Sequence, residues 1–304
     1  MLIDGAAIAA EREKKVKLWT AEMRFYKTAP KFAAILVGND PASELYLQRK
    51  DAQAREVDIE MVSVQMPSGA SIEQVIAQIR QYNADPSVYG ILVQLPFPSG
   101  SPPDQARRKI LDEIDPAKDI DCLTSVNIGA LTSGQPRFFP ATVKAVLTAI
   151  NAGMGNGAQM VDWKQVNGRW LSGKTAVVIG QSEIVGKPLA VALMNMGATV
   201  VSANEWTQEL KSLTRTGDIL ISAAGVAGLV KSDMVKLEAM VIDVGMNRTE
   251  RGVAVGDVDF AAVSNIASAI TPVPGGVGPL TVISLMENVI EAVRNAQSTI
   301  ANKK

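Results

Sequence analysis

The sequence predicts an α/β fold with two domains. Apolar runs of strand length at residues 31–38, 59–65 and 89–94 alternate with helix-period segments at residues 5–23, 41–56, 71–83 and 103–111. These runs are continuous rather than alternating, which is typical of strands buried on both faces of a parallel sheet. A second series of such strands follows residue 172, and 304 residues suffice for two domains. Strands that alternate with helices in both parts favour parallel α/β layers throughout.

Composition excludes several classes of function. The chain carries 30 Lys and Arg against 31 Asp and Glu, so we expect no nucleic-acid partner. A single cysteine, Cys122, excludes an internal disulfide framework and favours a cytoplasmic location. No apolar run approaches the roughly 20 residues of a membrane span, and the first residues lack a signal-peptide core, so we expect no membrane partner. Histidine is absent, which leaves proton transfer to carboxylates, Lys, Tyr or Cys.

Residues 271–281, TPVPGGVGPLT, form the most unusual stretch of the chain. Three prolines fix φ and remove backbone donors, while three glycines permit approaches that a Cβ would forbid. A solvent connector would be richer in polar side chains. We interpret the stretch as a shaped loop, neither strand nor helix, that lays its backbone against a ligand and leads into a helix from Thr281.

Tyr46 and Lys50 share one face of the predicted helix 41–56, because they are four residues apart. Asp40 followed by Pro41 predicts the N-cap and first turn of that helix. On the spacing alone, a solvated Tyr and Lys remain the alternative. Gln94 ends a predicted strand, at the edge where open α/β sheets bind ligands, and Lys50 is a candidate partner for its amide.

Two further loops stand out. Residues 115–122 are rich in Asp but lack the Gly-containing calcium-loop pattern, so we expect caps and one substrate-facing carboxylate rather than a metal. Residues 153–170 have the composition of a flexible linker.

A dinucleotide-binding turn is predicted near residue 180. The apolar run 175–179 ends in Gly180, a short polar loop follows, and Gly186 starts the next helix. The spacing G-x-S-x-x-x-G differs from G-x-G-x-x-G. The later strands at 198–203, 218–223 and 240–244 nevertheless indicate a Rossmann-type domain.

Together these motifs closely resemble the bifunctional methylenetetrahydrofolate dehydrogenase/cyclohydrolase family, called FolD in bacteria. The matching segments, in order, are VGNDPASELYLQRK, GILVQLPFP, KDIDCLTSVNIG, GKTAVVIGQSEIVGKP, VIDVG, GDVDF and TPVPGGVGPLT. The resemblance implies an N-terminal three-layer α/β folate domain (residues 1–140 and 280–304), a C-terminal Rossmann-type domain (residues 141–279) and a cleft between them. It implies oxidation of 5,10-methylenetetrahydrofolate followed by hydrolysis to 10-formyltetrahydrofolate, tetrahydrofolate one-carbon derivatives as ligands, NADP as cofactor, no metal and a homodimer.

The resemblance also assigns site residues. Lys50 would be the central cyclohydrolase residue, with Tyr46, Gln94 and Asp121 as the other catalytic residues. Those implied to bind substrate are Tyr46, Gln94, Leu95, Pro96, Asp121, Pro272, Gly275 and Gly276. Those implied to bind the cofactor are Gly180, Gln181, Ser182, Val185, Gly186, Asn204, Glu205, Ala224, Gly225, Val244 and Gly245.

The chain departs from the family pattern where NADP would be recognised. The usual G-R-S reads Gly180-Gln181-Ser182, and the usual C-H-S-[KR]-T reads ANEWT at residues 203–207. A neutral amide thus replaces a cation, and Glu205 brings a carboxylate to the region of the 2′-phosphate. We therefore expect weakened NADP binding, with either an NAD preference or an impaired dehydrogenase. Cys122 replaces the glycine that usually follows the Asp.

Two alternatives remain. The Tyr46/Lys50 spacing also matches the Y-x-x-x-K pair of short-chain dehydrogenases, but here the pair precedes the nucleotide-binding segment, which disfavours that family. The second alternative is a folate-binding protein that has lost catalytic activity, which the altered cofactor segment suggests. The joint presence of Tyr46, Lys50, Gln94 and Asp121 argues against it.

Overall fold

A computed structural model describes residues 1–97, 104–158, 169–249 and 252–301 of the chain. Its contacts divide the protein into two compact units. One comprises Glu13–Ala141 and Val282–Lys304, and we call it the first unit. The other comprises Met1–Arg12 and Thr142–Thr281, and we call it the second unit. Both units are α/β, as the sequence predicts.

The first unit contains a parallel three-stranded sheet in the order β2-β1-β3. Its elements are most of α1 (Gly5–Phe25), β1 (Lys31–Val37), α2 (Pro41–Glu56), β2 (Glu60–Met66), α3 (Ile72–Ala84), β3 (Gly90–Val93), α4 (Asp104–Leu111), α5 (Ser125–Thr132), the start of α6 (Ala141–Asn151) and most of α10 (Val277–Ala301). Strand residues such as Ile35 and Ile91 pack with Ile79 of α3 in a buried core. The continuous apolarity of β1 and β3 therefore reflects burial on both faces.

The second unit contains a parallel five-stranded sheet in the order β10-β7-β6-β4-β5. Its further elements are β4 (Thr175–Ile179), α7 (Gly186–Asn195), β5 (Thr199–Ala203), α8 (Leu210–Thr214), β6 (Ile219–Ser222), β7 (Met240–Asp243), the antiparallel pair β8 (Asn247–Arg248) and β9 (Ala254–Val255), α9 (Phe260–Val263) and β10 (Ala269–Ile270). Val177, Leu220 and Val241 of the three central strands lie in its core. The carboxyl ends of β4, β5, β6 and β7 thus meet at one edge, where open α/β sheets bind ligands.

The N-terminal segment groups differently from the prediction, which placed residues 1–12 with the first domain. Leu2 forms a parallel bridge with Ile270, and the Ile3 N–H donates to the Ile270 carbonyl at 2.8 Å. The segment therefore extends the sheet of the second unit beyond β10. Periodicity could not reveal this, since the pairing joins residues at opposite ends of the chain.

Three local expectations need correction. Helix α10 begins at Val277, inside the stretch predicted to be neither strand nor helix, and Pro279 is tolerated in its first turn because no helical partner is lost there. Helix α5 was not predicted, although Thr124 caps it by accepting from the Asn127 N–H at 3.2 Å. Residues Ala152–Asn156, of which 153–156 were expected to be linker, form an irregular helical turn that is interrupted at Gly155, where φ is +87°. Residues 159–168 of that predicted linker lie outside the described part of the chain.

Among the described residues, no helix has the length and apolarity needed to cross a bilayer.

Candidate active site

Helix α2 and strand β3 bring Lys50 and Gln94 together. Asp40 caps α2 as predicted, because its Oδ2 accepts from the Ser43 N–H at 2.8 Å. Lys50 lies in the third turn, and its Nζ donates to Gln94 Oε1 at 2.9 Å. Gln94 follows β3, is only 8% exposed, and its Nε2 donates to the Leu95 carbonyl at 2.7 Å. Both ends of the amide are thus engaged, which fixes its orientation towards the ammonium.

The side chain of Lys50 loses its proton more readily in this site than it would in water. Burial lowers the pKa of the Lys50 ammonium below its ordinary value, and the negative charge of Asp121 opposes this by favouring the charged form. Tyr46 lies one turn earlier on α2, with the Arg49 guanidinium carbon 6.0 Å from its ring centroid. The structure therefore assembles Lys50, Gln94 and Asp121 in the first unit, with Tyr46 on the same helix as Lys50.

The loop that carries Asp121 is organised by a different carboxylate. Asp119 is 1% exposed and accepts from the backbone N–H groups of Leu123 at 3.0 Å and Thr124 at 2.8 Å, and from Asn127 Nδ2 at 2.9 Å. Asp119 therefore orders the loop that leads into α5, while Thr124 is the N-cap of that helix. Among the described residues, no cluster of three or more Asp, Glu, Cys or His side chains could hold a metal ion.

Cys122 adopts φ of +56° directly after Asp121. That conformation suits glycine, the residue usual in the family, and is rarely adopted by a side chain with a Cβ. The Cys122 side chain is fully buried, and its Sγ donates to the Phe138 carbonyl at 3.2 Å. Cys122 therefore fills buried space with its side chain while its backbone keeps a conformation that favours glycine.

Residues 180–186 form a tight turn between β4 and α7. An ideal Cβ at Gly186 would lie 1.9 Å from the Gly180 carbonyl oxygen, and one at Gly180 would lie 2.2 Å from that of Ala223. Ser182 Oγ accepts from the Val185 N–H at 3.2 Å, which orders the loop before the helix. Because only glycine allows this approach of backbone to backbone, the turn fits a dinucleotide whose pyrophosphate lies at the start of α7.

Gln181 faces the neighbouring strand β5. Its Oε1 accepts from Asn204 Nδ2 at 3.1 Å, and its Nε2 donates to the Ser202 carbonyl at 3.0 Å. Asn204 Oδ1 in turn accepts from the Trp206 N–H at 3.1 Å. Glu205 is exposed beside this amide pair. The segment that follows β5 therefore presents two amides bonded to each other and one exposed carboxylate.

The loop at residues 272–276 packs against the start of α1. The Ala6 N–H donates to the Gly275 carbonyl at 2.9 Å, and an ideal Cβ at Gly5 would lie 1.8 Å from the Gly276 carbonyl oxygen. Gly276 itself leaves no room for a Cβ, since one would lie 2.4 Å from the Pro272 carbonyl oxygen. The backbone of this loop is therefore held close to the start of α1, and its predicted contact with a ligand stays a prediction.

The remaining cofactor candidates follow β6 and β7. Ala224 and Gly225 lie after β6, and Val244 and Gly245 lie after β7, at the same edge as the glycine turn. Two buried carboxylates, Asp243 and Asp257, contact these segments and were not predicted as site residues. Asp243 ends an apolar strand, and a carboxylate in such a position must find partners, which is the signal that could have found it.

Comparison with known proteins relates both units to one family. The tetrahydrofolate dehydrogenase/cyclohydrolase catalytic domain matches residues 3–121, and the NAD(P)-binding domain of the same family matches residues 158–297. The chain belongs to the tetrahydrofolate dehydrogenase/cyclohydrolase family. The bifunctional protein FolD of Lactobacillus delbrueckii subsp. bulgaricus is 42% identical over 293 residues, which cover 96% of this chain and 97% of the relative.

Solved structures agree with this membership. The FolD methylenetetrahydrofolate dehydrogenase/cyclohydrolase of Campylobacter jejuni matches with a TM-score of 0.89 and 38% identity, over 97% of this chain and 99% of that chain. The Trypanosoma brucei FolD, solved with NADP cofactor and an inhibitor, matches with a TM-score of 0.87 and 33% identity, over 97% and 98% of the two chains. The family resemblance expected from the motifs is thereby confirmed, as are the two-domain α/β fold and the NAD(P)-binding domain.

Proposed function

We propose that this enzyme oxidises 5,10-methylenetetrahydrofolate to 5,10-methenyltetrahydrofolate with a nicotinamide cofactor, and then hydrolyses the product to 10-formyltetrahydrofolate. Membership of the family over both domains supports the two activities. The observation that carries the hydrolytic step is the hydrogen bond from Lys50 Nζ to Gln94 Oε1 at the carboxyl end of β3.

The oxidation suits a chain without histidine. A nicotinamide cofactor, when bound, would supply the hydride acceptor. The folate product is a methenyl cation, so this step requires no general base. We propose that the turn formed by Gly180, Ser182, Val185 and Gly186 binds the pyrophosphate and orients the cofactor. The carboxylate of Asp121 and the phenol of Tyr46 would hold the folate.

The hydrolysis requires a proton acceptor. Water adds to the methenyl carbon and one of its protons is lost. The bond from that carbon to one of its two nitrogens then breaks, the second proton passes from the hydroxyl group to the released nitrogen, and the formyl product forms. Neutral Lys50 is suited to take the first proton, because burial already lowers the pKa of its ammonium. Gln94 Oε1 holds the Lys50 nitrogen in place and so sets the position of the water.

Substitution of Lys50 tests this step. We expect Lys50→Met to lower the rate of methenyltetrahydrofolate hydrolysis, followed by loss of the methenyl absorbance, by about 10² to 10⁴. Lys31→Met is the matched control, because Lys31 is a partly buried lysine of the same unit whose partner is Glu60. Hydrolysis by Lys50→Met at the wild-type rate would exclude the proposed role.

We further propose that NAD is preferred to NADP. The Gln181 amide is already bonded to Asn204 and Ser202, so it offers little to a phosphate, and exposed Glu205 would repel one. An acidic residue after the second strand of such a domain hydrogen-bonds the ribose 2′-OH of NAD. The family as a whole would favour NADP, and the Trypanosoma brucei relative was solved with it.

Michaelis constants for both cofactors decide the preference. We expect a lower value for NAD in the wild type, and a gain in kcat/KM for NADP of about tenfold or more in the double variant Gln181→Arg/Glu205→Ser. A wild-type constant for NADP well below that for NAD would overturn the inference. No oxidation with either cofactor would instead favour an impaired dehydrogenase.

A homodimer is also proposed on the basis of the family. Light scattering during gel filtration measures the mass directly. A mass near that of one 32.3 kDa chain at micromolar concentration would contradict it.

A further inference from the structure

Two buried carboxylates lie behind the candidate cofactor segments of the second unit. Asp243 ends β7 and is 3% exposed, while Asp257 lies between β9 and α9 and is fully buried. Burial of two acids this close together is unfavourable unless their oxygens are hydrogen-bonded. The identity of those partners indicates what the acids do.

Asp257 holds the segment that follows β6. Its Oδ2 accepts from the Ala224 N–H at 2.8 Å, the Gly225 N–H at 3.1 Å and Ser222 Oγ at 2.9 Å. Its Oδ1 accepts from Asn247 Nδ2 at 2.9 Å. The N–H groups of Ala224 and Gly225 donate to this carboxylate rather than to the carbonyl groups that a helix or sheet would provide, so a single oxygen fixes two consecutive peptide groups.

Asp243 connects this arrangement to the segment that follows β7. Its Oδ1 accepts from the Gly245 N–H at 2.9 Å and the Asp257 N–H at 3.0 Å, and its Oδ2 accepts from the Val258 N–H at 2.9 Å. An ideal Cβ at Gly245 would lie 2.1 Å from Asp257 Oδ1. Hydrogen bonds through the two acids therefore link the segment after β6 to the segment after β7.

Neither acid is suited to touch a ligand. All four carboxylate oxygens accept hydrogen bonds from the protein, and both side chains are almost entirely buried. A role in proton transfer to substrate is therefore disfavoured. What distinguishes the pair from ordinary buried acids is that the donors include Ala224, Gly225 and Gly245, which the family resemblance assigns to the cofactor.

We propose that Asp257 is a positioning residue of the dehydrogenase reaction, which acts by fixing the cofactor-binding segment Ala224–Gly225 and, through Asp243, coupling it to Gly245. This inference rests on the proposed dehydrogenase function. Loss of the carboxylate releases two backbone N–H groups and lets the segment leave the conformation that receives the cofactor. Cofactor affinity falls, while the chemistry at Lys50 in the first unit is unaffected.

The test compares Asp257→Ala with the wild type by two readouts. Binding of NADH and NADPH is measured by the change in nicotinamide fluorescence, and dehydrogenase kcat and KM are measured with the oxidised cofactor that the wild type uses. We expect the dissociation constant and the KM for the cofactor to rise at least tenfold, with kcat within about threefold. Methenyltetrahydrofolate hydrolysis by the same sample should stay within twofold, which shows that the first unit is intact.

Two further variants separate positioning from general stability. Asp257→Asn retains one oxygen for Ala224 and Gly225, and adding Asn247→Asp supplies an acceptor for the new amide, so the double variant should recover most of the affinity. Asp259→Asn is the matched control, because Asp259 is two residues away and its Oδ2 lies 3.4 Å from Lys231 Nζ at the surface. We expect Asp259→Asn to bind NADH and NADPH with the affinity of the wild type.

The outcomes are distinguishable. Wild-type cofactor affinity in Asp257→Ala would overturn the proposal, as would a parallel fall of both activities and of the melting temperature, which indicates a merely structural role. If the wild type binds reduced cofactor but oxidises no methylenetetrahydrofolate, the proposed dehydrogenase function is wrong. The difference in NADH and NADPH affinity between the wild type and Asp257→Ala then still tests whether Asp257 positions the cofactor segment. If the wild type binds neither cofactor, the positioning role is overturned.

Discussion

Lys50 Nζ donates a 2.9 Å hydrogen bond to Gln94 Oε1, which joins a helix residue to the residue that follows a buried strand 44 positions later. The amide is held in turn by the Leu95 carbonyl. A lysine that is desolvated yet anchored through a neutral acceptor keeps its nitrogen in one place without gaining a full counter-charge. Such an arrangement suits proton transfer near neutral pH.

Removal of the Gln94 amide, which accepts the hydrogen bond from Lys50, should impair hydrolysis. We expect Gln94→Leu to lower the rate of methenyltetrahydrofolate hydrolysis by about tenfold to a hundredfold, because Lys50 loses the acceptor that orients it. Gln78→Leu, at a partly exposed position of α3 whose amide donates to Gln81, should leave the rate unchanged. Equal rates for the two variants would show that the Lys50–Gln94 bond is not used.

The charge of Asp121 should set the pH dependence of hydrolysis. Asp121 favours the charged form of Lys50 and so opposes the lowering of the Lys50 pKa by burial. If neutral Lys50 is the active form, kcat rises with pH through that pKa, and Asp121→Asn moves the rise to lower pH. Asp51→Asn, next to Lys50 in sequence but paired with Arg55, should leave the profile in place. A shift to higher pH in Asp121→Asn would contradict the assignment.

A side chain at Gly186 should separate the two activities. The added Cβ of Gly186→Ala would lie 1.9 Å from the Gly180 carbonyl oxygen, so the turn before α7 must open. We expect dehydrogenase kcat/KM to fall at least tenfold, with hydrolysis retained. Gly129→Ala on α5, where a Cβ meets nothing within 4 Å, is the control. Full dehydrogenase activity in Gly186→Ala would remove this turn from the cofactor site.

Substitutions at Cys122 should rank by backbone preference. With φ at +56°, a residue bearing a Cβ carries a cost of roughly 1–2 kcal/mol, which glycine avoids. Glycine also loses a buried side chain, so we expect Cys122→Gly to change the free energy of unfolding by less than about 1 kcal/mol. Cys122→Val should cost about 2 kcal/mol or more, because branching at Cβ is least tolerated in this conformation. Urea denaturation measures both, and a valine variant as stable as the glycine variant would refute the ranking.

Ionisation of Asp243 should make stability depend on pH. Burial raises the pKa of Asp243 from 3.8 to about 6, against the opposing effect of its backbone donors. A carboxyl whose folded pKa exceeds its unfolded pKa stabilises the fold fully below the unfolded value, and this contribution is lost as pH rises through about 6. The loss amounts to roughly 3 kcal/mol by pH 7.

Denaturation at pH 5 and pH 7.5 checks this expectation. The stability of the wild type relative to Asp243→Asn should be greater at pH 5. Asp233→Asn serves as control, since Asp233 is exposed and paired with Lys211, which lowers the pKa of its carboxyl. A wild-type advantage that grows with pH would contradict the raised pKa of Asp243.

Much of the architecture was predictable from local sequence. Helix α2 has the predicted bounds, because Asp40 and Pro41 specify its start and Lys50 lies within an uninterrupted helical pattern. The sequence also places Gln94 after a buried strand and the glycines of the turn between β4 and α7. Such signals depend on residues a few positions apart, which periodicity and capping report directly. The motifs likewise sufficed to identify the family.

Other features were decided only by the tertiary structure. Asp257 accepts from Gly225 across 32 positions, and Ile3 pairs with Ile270 across most of the chain. Gly5 leaves no room for a Cβ because the carbonyl oxygen of Gly276, about 270 positions later in the chain, packs against it. The sequence by itself determined most of the helices and strands around the two sheets, though not α5, and the family to which the chain belongs. Only the fold decided which buried acids meet which backbone donors, because a buried polar group finds its partner in space and leaves no periodic trace along the chain.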